Sequence, residues 1–208
     1  MPPAFDPSAD ADLAALPPPP RRGRALALGL LGATGLAAAC VAVGVADEAR
    51  YALGPATPRD LGALAQAPAD PRANGGFVRG FGRLSERGAV RYGRPFEQDT
   101  FRVAAVEGSP RLWVEVRLPG GIEPPGWLPP TTFVGRLVPL AHAGLSHRGL
   151  AEAVRAASGA AVPEGAALLV DGATPAASRW ALGLEAVLAA IVGWCAFELV
   201  RLSRRVRD

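Results

Sequence analysis

The apolar run from Trp180 to Leu202 constrains this chain more than any other segment. As a helix its 23 residues would reach about 34 Å, at about 1.5 Å per residue, against a bilayer hydrocarbon core of about 30 Å. Arginines at position 201 and beyond it form the basic flank that is typical of a cytoplasmic helix end. We therefore expect a transmembrane helix at 180–202 and a basic cytoplasmic tail at 203–208.

A second apolar run occupies residues 25–46 and follows Arg21, Arg22 and Arg24. Basic residues at the outer ends of both runs predict that both termini are cytoplasmic. Residues 47–179 then form an extracytoplasmic domain, and the protein is integral to an inner or plasma membrane. The lipid bilayer is therefore its first expected partner.

The residues before the first run carry acids, alanines and four consecutive prolines. This composition predicts a disordered cytoplasmic tail over residues 1–24. A cleaved signal, or lipidation at Cys40, is the alternative for the first run, because small residues there resemble signal-processing sites. The acids in the preceding segment favour a retained transmembrane helix.

The charge of the central region is small and dispersed. Residues 51–179 contain 14 Arg against 11 Asp plus Glu, which does not predict a nucleic-acid partner, since that would concentrate basic charge on one face. The two cysteines, Cys40 and Cys195, lie in the apolar runs. The central domain therefore has neither a disulfide nor a thiolate metal site.

The central domain has the sequence pattern of a small β-rich (α+β) fold. Short runs with alternating or continuous apolar residues, bounded by Gly, Pro, Ser or Asp, predict strands. They cover 77–84, 89–93, 100–106, 112–118, 131–140 and 166–170. With a helix at 146–157 and a short one at about 57–66, they favour a barrel or a curled antiparallel sheet.

The segment 111–118 alternates most regularly. Leu112 and its even-numbered neighbours are apolar, whereas Arg111, Trp113, Glu115 and Arg117 alternate with them. This pattern predicts one core face and one solvent face. Exposed Trp and Arg side chains often anchor protein interfaces. We therefore expect partner binding at Trp113, Arg111 and Arg117, with Trp127 nearby; packing of Trp113 under the Trp127 loop is the alternative.

The sequence offers little catalytic chemistry. His142 and His147 with Glu152 would be the residues of a hydrolase, but the pattern favours two surface histidines without a catalytic role. No nucleophile turn or phosphate-binding loop occurs. The protein is therefore not expected to be an enzyme, nor to hold a metal or a cofactor.

Two acids lie within the second apolar run. Glu198 is three residues before Arg201, so an ion pair at the membrane boundary accounts for it. Glu185 lies near the other end, where it either reaches the interface or contacts a second membrane subunit. Glu185 therefore joins the expected partner-binding residues.

The overall plan resembles the Surfeit-locus family of cytochrome oxidase assembly proteins. The segments Phe77–Gly80 and Phe133–Leu137 are similar to its V-x-G and G-x-L strands. Pro125–Trp127 and Val170–Gly172 are similar to parts of its R-G-W signature, which does not occur complete. The resemblance covers the layout of residues 25–202.

We therefore expect a non-enzymatic integral membrane protein whose outer domain assists or stabilises a larger membrane complex. Its partners would be the subunits of that complex, and the resemblance implies a respiratory one. The alternative is a membrane-tethered module that binds an extracytoplasmic ligand or envelope component.

Overall fold

The computed structural model describes residues 21–67, 75–94, 97, 99–118, 128–140, 147, 149–158 and 162–204. Its helices are α1 (Arg21–Ala52), α2 (Leu150–Ser158) and α3 (Trp180–Arg204). Its strands, which come in this order along the chain, are β1 (Arg59–Ala63), β2 (Phe77–Phe81), β3 (Val90–Gly93), β4 (Thr100–Val106), β5 (Ser109–Leu118), β6 (Thr132–Pro139) and β7 (Ala167–Asp171). The tail over residues 1–20, most of the basic tail, and Trp127 lie outside the described residues.

Two helices are long and apolar enough to cross a membrane. They cover Gly23–Ala52 and Pro175–Ser203, with mean hydropathies of 2.2 and 1.8. Both apolar runs are therefore helical as predicted, with α1 longer than its apolar part. The described chain divides into a helical unit, within Met1–Ala42 and Val187–Asp208, and a sheet unit, Val43–Ala186.

Small residues allow the two helices of the helical unit to pack closely. A Cβ atom added to Gly35 of α1 would lie 3.2 Å from the Cβ of Cys195. Cys195 and Leu188, seven residues apart on α3, are buried, as is Ala38 of α1. Seven residues are close to two helical turns, so these positions form one contact stripe.

The sheet unit contains one seven-stranded mixed sheet in the order β1-β2-β6-β7-β5-β4-β3. The expected all-antiparallel sheet is wrong, because β1 pairs with β2 and β5 with β7 in parallel. The expected barrel is wrong as well. The chain after β2 touches β4 through a single bridge, Leu84 to Val106, so the sheet is curled but not closed.

The helix expected at 57–66 is also wrong. The segment forms β1 and a 3₁₀ turn at Leu64–Gln66, and Gly62 near the end of β1 has a φ of +66°. The Asp60 carboxylate accepts the Gly62 amide at 2.9 Å and an Arg79 guanidinium N–H of β2 at 2.9 Å. Strand pairing thus outweighs the helix-capping pattern of this segment, in which Thr57 is a possible N-cap and Pro58 would be the first helical residue. Leu64 of the 3₁₀ turn is fully buried in the core.

Gly135 of β6 allows an unusually close approach of neighbouring strands. A Cβ atom at this position would lie 1.8 Å from the carbonyl oxygen of Val170 in β7. Gly135 is also the register partner of Val78 in β2 and of Asp171 in β7. The Phe77–Gly80, Phe133–Leu137 and Val170–Gly172 segments are therefore adjacent in the sheet.

Apolar clusters lie on both faces of the sheet. The first face contains residues such as Val114, Phe133 and Leu169. The second face is covered by α2, whose Leu150 and Val154 pack with strand residues. The predicted helix at 146–157 is thus present but begins at Leu150. Both faces of the central strands are therefore buried.

Candidate functional site

Burial of the second face changes the interpretation of β5. Trp113 is 5% exposed and Glu115 is 2% exposed, so the predicted solvent face is wrong at both positions. Trp113 packs among the apolar residues under α2. Its indole N–H has no hydrogen-bond partner within the described part of the chain. The partner-binding role expected of Trp113 thereby loses its basis, because that role required an accessible side chain.

Glu115 is the centre of a buried polar cluster formed by Glu115, Tyr92, Arg94 and His147. The Tyr92 hydroxyl donates to Glu115 Oε2 at 2.5 Å, and the Arg94 guanidinium forms an ion pair with Glu115 Oε1. Arg94 also lies 4.1 Å from the centre of the Phe101 ring. The side chains of Arg94 and His147 are 15% and 8% exposed. This buried polar cluster links β3, β5 and the segment that precedes α2.

His147 contacts two groups of the buried polar cluster through one nitrogen. Its Nε2 lies 2.7 Å from Glu115 Oε2 and 2.9 Å from Arg94 Nη2. An arginine can only donate, so one ring nitrogen cannot satisfy both neighbours at once. Donation from Nε2–H to the carboxylate gives the shorter, charge-complementary contact. Arg94 then compensates the negative charge of Glu115 mainly through the other carboxylate oxygen, Oε1.

The cluster shifts the pKa of two of its members. Burial and the Glu115 carboxylate raise the pKa of the Tyr92 hydroxyl. Burial acts to lower the pKa of Arg94, but Glu115 and Tyr92 together raise it. Tyr92 therefore stays neutral and Arg94 stays charged at physiological pH. Glu115 thus has a proton donor and a permanent cation beside it.

The geometry of the buried polar cluster favours a structural role. A carboxylate next to an imidazole is the arrangement that orients a general base, but that base must reach a substrate. Here both groups are almost completely enclosed. The hydrolase hypothesis paired His147 with Glu152, whereas the acid beside His147 is Glu115. His142, its other member, lies outside the described residues.

A second polar cluster, the junction cluster, is formed by Glu48, Tyr51, Arg136 and Ser178. Arg136 of β6 is bound to Glu48 near the end of α1, with Nη1 to Oε1 at 2.6 Å, and lies over the Tyr51 ring at 4.4 Å. The Ser178 hydroxyl donates to the other oxygen of Glu48 at 3.0 Å. The Tyr51 hydroxyl donates to the Ala173 carbonyl at 2.5 Å. This junction cluster connects β6 with the first and last residues of the unit.

The predicted arginines are exposed on β5, as expected. Arg117 forms an ion pair with Asp99, and its side chain is 64% exposed. Arg111 is also exposed. The two lie six residues apart on the same strand, so they remain candidates for partner contact without Trp113.

The acids of α3 have different environments. Glu198 is buried and bound to Arg201 at 3.0 Å, as predicted. Glu185 is half-buried and forms no hydrogen bond or ion pair with a described residue. It thus remains a candidate for contact with another subunit.

An open cleft lies at the end of the sheet where β2 finishes and β6 begins. It has a volume of about 760 Å³ and contains Arg83, Arg87, Glu107 and Leu128. The Leu128 side chain is 84% exposed. Charged and apolar groups thus share one accessible surface.

The sequence pattern does not reveal most residues of the two polar clusters. It places Glu115 on a solvent face and indicates His147 only as a hydrolase candidate, and it does not single out Tyr92, Arg94, Glu48 or Arg136. The signal in the sequence is a single acid within the otherwise apolar run Leu112–Val116, but its partners come from distant segments. Among the described residues, no group of three His, Cys, Asp or Glu side chains could hold a metal ion.

Comparison of the chain with protein-family models, with curated proteins and with solved structures finds no match.

Proposed function

We propose that this protein is a two-span membrane protein whose extracytoplasmic sheet domain assists or stabilises a larger membrane complex. Both termini would be cytoplasmic, because the arginines lie at the outer ends of the two apolar helices. The observation that carries the proposal is the half-buried Glu185 without a partner among the described residues of an apolar helix. An acid at this position is costly in a membrane unless a second subunit supplies a donor.

The exposed arginines of β5 and the structural role of the buried polar cluster agree with this proposal. The cluster fixes strands and a helix rather than presenting groups to a substrate. Arg111 and Arg117 present positive charge that an acidic surface of a partner would complement. A respiratory complex is the partner that the layout resemblance favours.

The test is purification of the tagged full-length protein in mild detergent, followed by mass spectrometry of the bound proteins. Membrane subunits should co-purify in stoichiometric amounts, and Glu185→Gln should reduce their yield. Glu86→Gln, which changes an acid of the sheet unit, is the matched control and should leave the yield unchanged. If no subunit co-purifies, or if Glu185→Gln has no effect, the assembly function is wrong.

The open cleft beside Leu128 favours a second candidate, a membrane-tethered module that binds a ligand. Such a module should retain its ligand without any membrane subunit. Arg87→Gln and Leu128→Ser would then weaken ligand retention, whereas Arg111→Gln would not. Loss of binding in Arg111→Gln alone would instead support the protein-contact surface on β5.

A further inference from the structure

The helical unit has an apolar groove between α1 and α3. The groove has a volume of about 570 Å³, and its walls include Leu30, Leu31 and Thr34 of α1 and Ile191 and Trp194 of α3. The Trp194 side chain is 63% exposed. The groove is therefore accessible from outside the helix pair and needs an apolar occupant.

Two arginines continue the walls of this groove towards one end of the helix pair. Arg24 is seven residues before Leu31, and Arg201 is seven residues after Trp194. Seven residues are almost two helical turns, so each arginine shares a face with the wall residue. The separation along the axis is about 10 Å in both helices, at about 1.5 Å per residue. Both guanidinium groups therefore lie beyond the same end of the groove.

This end of the helix pair is strongly basic. Arg24 donates to the Leu202 carbonyl, which places the beginning of α1 beside the end of α3. Arg201 is bound to Glu198, yet its side chain is 53% exposed. The helical residues 21–24 and 198–204 contain five arginines against one glutamate, a net charge of +4. A guanidinium has five N–H donors, so Arg24 and Arg201 both keep donors for an anion.

We propose that the groove and its two arginines form a binding site for an anionic phospholipid. Arg24 and Arg201 hold the headgroup phosphate, and an acyl chain occupies the groove. This occupant is supported by the position and length of the groove along the helix axis, which match those of an acyl chain. The groove extends from about 10 Å to about 21 Å below the arginines, taking its far wall at Val187, 14 residues before Arg201.

An acyl chain in one leaflet fits these limits. The interfacial layer is roughly 5–7 Å thick, and half of the hydrocarbon core is about 15 Å. A chain that begins below a headgroup at the arginines thus extends from about 6 Å to about 21 Å. A helix of another protein would need an acid opposite the arginines, whereas a phospholipid supplies the phosphate and the chain together.

This inference rests on the proposed membrane location but not on the proposed partner complex. The full-length protein in mild detergent is titrated with phosphatidylglycerol or phosphatidylcholine, and bound lipid is counted by native mass spectrometry. Phosphatidylglycerol should bind more tightly than phosphatidylcholine. Arg24→Gln/Arg201→Gln should weaken phosphatidylglycerol binding about thirty-fold, from about 2 kcal/mol for two arginines at about 1.4 kcal/mol per factor of ten. Arg179→Gln, at the other end of α3, is the control and should bind as the wild type does.

A second pair of variants tests the groove without changing its charge. Ala190→Phe and Thr34→Leu fill it from opposite walls and should each reduce lipid binding, and retention of either variant in the membrane fraction shows that it still inserts. Inorganic phosphate should compete only weakly, because it lacks the chain. Any of four results would overturn the proposal. They are equal binding of the two lipids, normal lipid binding by the arginine variant, normal lipid binding by both filling variants, and full displacement of the lipid by phosphate. A stoichiometric polypeptide in the groove would overturn it as well.

The experiments can reject the assembly function and the lipid site separately. Loss of co-purifying subunits with lipid binding intact would reject the assembly function alone. Subunits that co-purify normally with no preference for the anionic lipid would reject the lipid site alone.

Discussion

Glu115→Gln should destabilise the protein by about 3 kcal/mol. The substitution keeps the shape of the side chain but removes the charge that compensates Arg94, and its amide N–H₂ faces other donors. Breaking one side of a buried ion pair costs about 3–5 kcal/mol, and the retained carbonyl oxygen places this case at the lower end. For a unit of this size the melting temperature should fall by about 6–12 °C, at about 2–4 °C per kcal/mol.

The measurement is thermal unfolding of the full-length protein in detergent, followed by circular dichroism and by tryptophan fluorescence, since Trp113 lies on the same sheet face. Glu97→Gln is the matched control, because Glu97 contacts the same arginine at 3.6 Å but is 42% exposed. It should cost less than about 1 kcal/mol. Arg94→Gln combined with Glu115→Gln should cost less than the sum of the single changes. A melting temperature for Glu115→Gln within about 2 °C of the wild type would refute the buried pair.

Three further changes test other parts of the sheet unit by the free energy of unfolding. Gly135→Ala should cost at least about 3 kcal/mol, because its methyl group overlaps the β7 backbone; a cost near zero would show that β6 and β7 are further apart. Arg136→Leu should cost about 1–2 kcal/mol through the loss of the partly buried Glu48 pair, whereas Arg79→Leu, in an exposed pair, should cost less than about 1 kcal/mol. Burial raises the pKa of Asp171, so this group stabilises the fold most below its unfolded pKa of about 3.9 and less as pH rises through the folded value. Relative to the wild type, Asp171→Asn should therefore gain stability from about pH 4 upwards, and a relative loss over that range would contradict the raised pKa.

The strands from β2 to β7 could be predicted because each is a short apolar run with turn residues at its ends. The two long helices were equally predictable from length and apolar content. The strand β1 was not, because Thr57–Asp60 carries a helix-capping pattern and its pairing with β2 is a tertiary effect. Local sequence cannot reveal which distant strand will supply hydrogen bonds.

The candidate sites were less predictable than the fold. Alternation in β5 indicates a solvent face only if nothing covers it, and α2 covers it here. Glu115 therefore looks like a surface acid in the sequence, although it is the most buried charged residue among those described. Tyr92 and Arg94 come from β3 and the residue that follows it, whereas His147 comes from the segment before α2, so their convergence on Glu115 depends on strand order. By contrast, the Glu198–Arg201 pair was predictable because helix spacing fixes it locally.

The central position of β7 has a consequence for how the sheet unit is made. The strands β1, β2 and β6 form one half of the sheet and β5, β4 and β3 form the other. Among the strands, β7 is the one that pairs with both halves, which otherwise meet at the Leu84–Val106 bridge. During synthesis both halves must therefore wait, with open edges, until residues 167–171 have been added. The second apolar helix begins nine residues later, at Trp180. Completion of the sheet thus coincides with the synthesis of the second long apolar helix, and a chain that ends before Ala167 would expose two aggregation-prone strand edges.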